Sequence, residues 1–234
     1  MLKQNQLRTY LSDFVALFFP NICLGCESAL PNGVPHICPT CQYNLPKTRN
    51  YKIEVPHIEQ KLAGSVRYSH LLAYVHFHKK GIVQKLLHEL KYNHKEEIGI
   101  MLGRWFGHDL LLAGFQNEFD IIVPVPLHPS KFKKRGYNQS EAFAKGLAEV
   151  LKMEVVNALV RNVASETQTK KSRIERQENV ASIFEVAEPN LVIGRRVLLV
   201  DDVLTTGATI IACGNQLINV GVSEFSVAVI AATQ

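Results

Sequence analysis

No stretch of the 234 residues approaches the ~20 consecutive apolar residues that a membrane-spanning helix needs. An apolar patch near the start, Phe14 to Phe19, is short and is followed by no small-residue cleavage site, so no secretory signal is expected. A cytoplasmic protein without a membrane span is therefore the expectation. Internal repeats and low-complexity tracts are missing too. Neither sign of charge dominates: the formal net charge is +5, which suits an anionic ligand, from a phosphorylated sugar to nucleic acid, without choosing between them. Cysteine is scarce. Of five, four fall in two close pairs, Cys23/Cys26 and Cys38/Cys41, and Cys213 stands alone in a predicted helix as a small core residue. In a reducing compartment such pairs hold metal more often than they form disulfides.

What is present is ordinary core material. Hydrophobic residues make up 47% and charged residues 20%, enough for one main core with a small accessory module. Leu7, Leu11, Phe14, Val15 and Phe18 recur at helical spacing, which predicts an amphipathic helix over 3–19 that Pro20 ends. Residues 20–46 carry so many prolines and glycines that only turns and short strands fit there. From about residue 50 the chain alternates. Strands are predicted over 71–78, 120–126, 197–200 and 226–232, and helices over 81–92, 96–112, 140–151 and 208–220, with Asn138 or Ser140 capping the third helix. Strands apolar on both faces, alternating with helices, predict an α/β protein with a parallel sheet. The division expected is 1–50 for the helix and cysteine module and 51–234 for the main domain.

The run Val197 to Thr209 carries the most chemistry. A continuous apolar strand leads into two acids, Asp201 and Asp202, which belong at its carboxyl end because burying a carboxylate without partners is costly. Thr205, Thr206, Gly207, Ala208 and Thr209 then form a tight turn that opens a helix. Free N–H groups of the first helical turn and three hydroxyls make an anion cradle, where Gly207 would let backbone approach a ligand. This run resembles the phosphoribosyl pyrophosphate signature of type I phosphoribosyltransferases. The resemblance implies that Asp201 and Asp202 bind the ribose 2- and 3-hydroxyls, directly or through Mg²⁺, and that Thr205 to Thr209 enclose the 5-phosphate. Purine-salvage members carry a third acid where this chain has Thr205, which argues against simple purine salvage.

Val123-Pro-Val-Pro-Leu-His-Pro129 precedes Lys131-Phe-Lys-Lys-Arg-Gly-Tyr-Asn-Gln-Ser140. The second stretch reads as a mobile basic loop, either a solvated face or a lid over a polyanion hinged at Gly136. Together with Leu90-Lys91-Tyr92 and the series Gln168, Ser172, Arg173, Glu175, Arg176, Asn179, Val180, these strings resemble the ComF/GntX family of phosphoribosyltransferase-like proteins across nearly the whole chain. By that resemblance Pro124, Val125, Pro126 and Leu127 border the pyrophosphate, and Arg135, Tyr137 and Asn138 belong to a flexible hood, with Arg135 joining the two acids as catalytic. Lys91 stands equally as a pyrophosphate contact or a solvated helix-end lysine. Arg173 and Arg176 either reach substrate or pair with Glu175 or Glu178.

Each Cys-x2-Cys turn can present two thiolates, so Cys23, Cys26, Cys38 and Cys41 predict a closed, structural zinc site resembling a zinc ribbon, without His36. The family resemblance includes this module. Two functions follow as expectations. One is a Mg²⁺-dependent enzyme transferring ribose 5-phosphate from phosphoribosyl pyrophosphate with loss of pyrophosphate. The other is a sugar-phosphate-binding adaptor of the DNA-uptake (competence) machinery, partnered with DNA-processing proteins. There, single-stranded DNA would lie along 131–135 and 170–176.

Overall fold

The structure, a computed structural model, describes residues 20–162 and 183–233. The helix expected over 3–19 and the series from Gln168 to Val180 lie outside the described residues, as does the 170–176 segment.

Two short helices come first, α1 (Pro39–Tyr43) and α2 (Pro56–Glu59). Strand β1 (Leu71–Phe77) leads to α3 (Ile82–Tyr92) and α4 (Glu96–Leu112). Then follow β2 (Ile121–Pro124), α5 (Pro129–Arg135), α6 (Gln139–Leu151) and β3 (Glu154–Val155). A small antiparallel pair, β4 (Leu159–Arg161) and β5 (Phe184–Val186), precedes β6 (Arg196–Leu204), α7 (Ala208–Asn219) and β7 (Glu224–Thr233).

The main sheet runs in the order β1-β7-β6-β2-β3, and every pairing is parallel. Strand β6 shows why its sequence is apolar up to the acids. Leu198 and Val200 enter one core cluster with Leu86, Phe106 and Phe143, while Val197 and Leu199 enter another with Cys213 and Leu217. Helices thus cover both faces, as the side-chain alternation of a buried strand demands. On the first face α4 and α6 come close enough that a Cβ on Gly146 would collide with the Ile100 carbonyl.

The prolines and cysteines ahead of β1 have a structural role at the sheet edge. Residues 46–50 run antiparallel along β1: His76 N–H donates to Pro46 O (2.8 Å), Thr48 N–H to Tyr74 O (3.0 Å) and the Asn50 side-chain amide to Leu71 O (2.6 Å). That covers an edge that would otherwise offer unpaired groups to another chain. Cys23, Ile37 and Leu45 join the same core cluster as Tyr74 and Phe106, so the cysteine segment and the sheet share apolar contacts.

The connections create the crevice. From β2 the chain passes through α6 to β3, and from β6 through α7 to β7, so the crossovers leave in opposite directions. Ligands of open α/β sheets bind outside the carboxyl ends of strands at such a divergence.

Candidate functional site

The acids lie inside β6 rather than just after it. The sequence predicts a strand over 197–200, but β6 continues to Leu204 because β7 stays paired with it as far as Leu204↔Ala232. Strand β2 stops at Pro124↔Val200. From Asp201 onward, therefore, β6 keeps its β7 neighbour and loses its β2 neighbour. The acids are tolerated within the strand because one flank opens into the crevice.

Asp201 Oδ1 accepts two hydrogen bonds, from Ser140 Oγ at 2.9 Å and from the Asp202 amide at 2.8 Å. Its Oδ2 has no hydrogen-bond partner among the described residues. Burial first, and then the neighbouring Asp202 charge, push the Asp201 carboxyl up to about 7, against the pull of those two donors and of Lys91. Asp202 pairs with Lys91 at 2.8 Å, and both side chains are mostly buried. Lys91 at the end of α3 is thus neither solvated nor idle: among the described residues it is the cation seated against the acid pair.

The turn after β6 opens α7 as expected, with Thr205, Thr206 and Ala208 exposed and Thr209 half-buried. Gly207 is the cap residue at φ 82° and brings no side chain of its own, and Thr206 Oγ1 accepts from the Ala208 amide at a long 3.5 Å, which leaves the helix start accessible to an anion. The close approach that Gly207 allows is to protein: a Cβ there would lie 2.6 Å from Lys61 O and 2.7 Å from Leu62 Cδ2. Residues 61–62 lock the turn, and Lys61 Nζ further bonds Thr233 Oγ1 (3.1 Å) at the end of β7.

Pro124, Val125 and Pro126 border the crevice beside the acids. Their backbone has little to offer an anion, since prolines lack an N–H and Val125 N–H donates to Val200 O at 2.9 Å. The basic stretch beyond them is a helix over 129–135 rather than a loop. Pro129 occupies its first turn, His128 Nδ1 accepts from Ser130 N–H (3.2 Å), three cations fill its last turn and Gly136 ends it at φ 81°. These start and stop signals stand in the sequence, but the run of like charge draws attention away from them.

This helix docks on the end of α3. Tyr137 O–H donates to Leu90 O, His94 Nδ1 contacts Arg135 O (2.9 Å) and the Arg135 guanidinium lies 5.5 Å from the Tyr92 ring centre. Arg135 also donates to Gln139 Oε1 at 2.6 Å. Asn138 is buried and engaged at both ends, donating to Val125 O (2.9 Å) and accepting from Ser140 N–H (3.1 Å) as the α6 cap. The hood residues Arg135, Tyr137 and Asn138 are thus tied to protein, whereas Asp201, Asp202, Lys91 and the threonine turn converge on the crevice. Sequence reasoning missed Ser140 as an acid partner. It also missed His57 and His76, whose rings lie 5.6 Å apart near the end of β1, each with one buried nitrogen lacking a partner.

The four sulfurs of Cys23, Cys26, Cys38 and Cys41 lie within 4.8 Å of one another. Cys26 and Cys38 are 3.7 Å apart, far beyond a disulfide bond and close to the ~3.8 Å edge of a tetrahedron with Zn–S bonds of ~2.3 Å. Amides of Gly25 and Cys38 donate to Cys23 Sγ (3.4 and 3.2 Å), as suits a thiolate. An all-sulfur donor set could hold one zinc ion and is a poor match for a hard cation such as Mg²⁺.

A profile of the phosphoribosyl transferase domain matches residues 138–234. "DNA utilization protein YhgH" of Escherichia coli strain K12 is 29% identical over 233 residues, covering 90% of this chain and 96% of the relative. The protein of that name from Salmonella typhimurium is 30% identical over 223 residues, covering 91% of each. "Competence protein F" of Haemophilus influenzae is 36% identical over 110 residues, covering 46% of this chain and 48% of the relative. With its parallel sheet, its phosphoribosyl transferase match and its four-cysteine cluster, the chain belongs to the ComF/GntX family of phosphoribosyltransferase-like proteins.

Proposed function

We propose that this protein binds phosphoribosyl pyrophosphate with Mg²⁺ in the crevice between β2 and β6 and transfers ribose 5-phosphate to a nucleophile, releasing pyrophosphate. One observation carries the reading. The acid pair sits on the stretch of β6 that has lost its β2 neighbour, directly before a glycine-capped helix start lined by three threonines. Asp201 and Asp202 bind the ribose diol, and Thr205 to Thr209 hold the 5-phosphate with helix-end amides.

The carboxylates are hard oxygen donors that fit Mg²⁺, which when bound supplies positive charge to the leaving pyrophosphate. Everything else falls to the chain. Because Pro124 to Pro126 lack free amides, pyrophosphate is gripped by side chains, with Lys91 released from Asp202 and the cations of α5 closing over it. The acceptor reaches C1 from the opposite side, over the ends of β7 and β1, where His57 and His76 keep unpartnered nitrogens. Zinc bound by Cys23, Cys26, Cys38 and Cys41 stabilises the module and leaves chemistry to the crevice.

The names of the relatives support a place in DNA uptake or utilisation, with competence or DNA-processing proteins as partners. A second reading, a non-catalytic adaptor touching single-stranded DNA, draws on one observation. Helix α5 exposes Lys131, Lys133 and Lys134 around Phe132, near the exposed Tyr92 beneath Arg135, and stacking surfaces flanked by cations suit single strands. A single experiment ranks the two. The protein is incubated with Mg²⁺, phosphoribosyl pyrophosphate and a panel of acceptors, and pyrophosphate release is compared with the Asp201→Ala/Asp202→Ala variant. Turnover above that control supports transfer. Calorimetric binding without turnover favours the adaptor, and no binding by the wild type sinks both.

A further inference from the structure

Ser140 is 4% exposed, and its hydroxyl donates to an acid 61 residues away in the chain. Its backbone N–H is committed as well. That amide donates to Asn138 Oδ1, and the Asn138 amide group donates in turn to Val125 O. One unbroken series of contacts therefore runs from the loop after β2, through the first turn of α6, to Asp201 and on to Asp202 and Lys91. Val125, Asn138 and Ser140 are all buried, so these contacts are shielded from water along their length.

The bonds to Asp201 are also placed selectively. Ser140 and the Asp202 amide both donate to Oδ1, which leaves Oδ2 without a hydrogen-bond partner among the described residues. An acid held by one oxygen, with the other open, is preorganised to accept from a hydroxyl.

We propose that Ser140 is a positioning residue, whose hydroxyl fixes Asp201 by Oδ1 so that Oδ2 receives a ribose hydroxyl, and which couples this acid to the loop after β2. The proposal rests on the ribose-phosphate reading of the crevice. Ser140 touches no substrate in this scheme; it acts through Asp201.

The test uses Ser140→Ala and Ser140→Thr in the full chain, each first shown to be folded by circular dichroism. Calorimetry gives affinity for Mg²⁺-phosphoribosyl pyrophosphate and, separately, for inorganic phosphate, which needs the threonine turn but no ribose contact. In Ser140→Ala affinity for phosphoribosyl pyrophosphate falls about tenfold, the low end of what one hydrogen bond to a charged group is worth, while affinity for phosphate is unchanged. Ser140→Thr, which keeps the hydroxyl, restores the wild-type affinity. An unchanged affinity for phosphoribosyl pyrophosphate in Ser140→Ala, or an equal loss for phosphate, overturns the proposal alone. If the wild type binds no phosphoribosyl pyrophosphate, the ribose-phosphate reading falls and the ligand role of Ser140 falls with it.

Discussion

Asp201 is the residue whose environment is most at odds with its charge. Its carboxyl is pushed up to about 7 by burial and by Asp202, whereas in the unfolded chain it titrates near ~3.9. A raised acid favours the folded state in its protonated form. The associated stability is fully present below pH ~4 and is lost as pH rises through about 7, and above that the folded protein carries a fixed penalty. Asp201→Asn removes the titration while nearly preserving the shape. We expect this substitution to raise stability at pH 8 by about 1–3 kcal/mol, to flatten the decline between pH 4 and 7, and to abolish binding of phosphoribosyl pyrophosphate. Unfolding curves across this pH range check the first two effects, and a variant less stable than wild type at pH 8 would contradict the assignment. Such a residue trades stability for a charge at the place where a ligand needs it.

At the scale of elements, the threonine turn depends on its packing partner as much as on its own sequence. Gly207 is at φ 82° and also abuts Lys61 O, so Gly207→Ala suffers both a backbone penalty and a collision. Gly221, at φ 93° with nothing within 4 Å of where an added methyl group would sit, isolates the backbone penalty alone. We expect Gly221→Ala to cost about 1 kcal/mol and Gly207→Ala clearly more, lowering Tm by a further ~2–4 °C for each added kcal/mol. Equal losses in thermal melts of the two variants would show that the 61–62 contact carries no weight. The same elements show what is legible in the sequence. Strands β1, β2, β6 and β7 and helices α3, α4, α6 and α7 are readable because their apolar patterns are bounded by glycine, proline or a cap. Strands β3, β4 and β5 are two or three residues long, too short for a period of two to register. The acids and the threonine turn are readable because they are contiguous. Ser140 with Asp201, and Lys91 with Asp202, come from distant parts of the chain, and only the fold brings them together.

For the whole molecule, the question is whether the cysteine module is an appendage or part of the core. Cys23 and Ile37 are nearly inaccessible and share a cluster with Tyr74, Phe106 and Phe143, and residues 46–50 close the β1 edge. A segment so rich in breakers has little apolar surface of its own, so ordering it depends on the sulfur cluster and on the sheet together. A four-thiolate zinc site can supply about 10–16 kcal/mol of apparent folding free energy in small peptides. Removal of the metal should therefore loosen the module and, through the shared cluster and the uncovered β1 edge, the sheet as well. The chain contains one tryptophan, Trp105, which sits on α4 against that cluster and far in sequence from the cysteines. Its fluorescence reports on α4 and the shared cluster it packs against. We expect one zinc per chain by elemental analysis, and after treatment with a strong chelator we expect the Trp105 unfolding transition to fall by at least about 10 °C while staying single. If Trp105 melts at the same temperature with and without metal, the module is a separate unit hung on an independent domain, and the coupling inferred from the shared core is wrong.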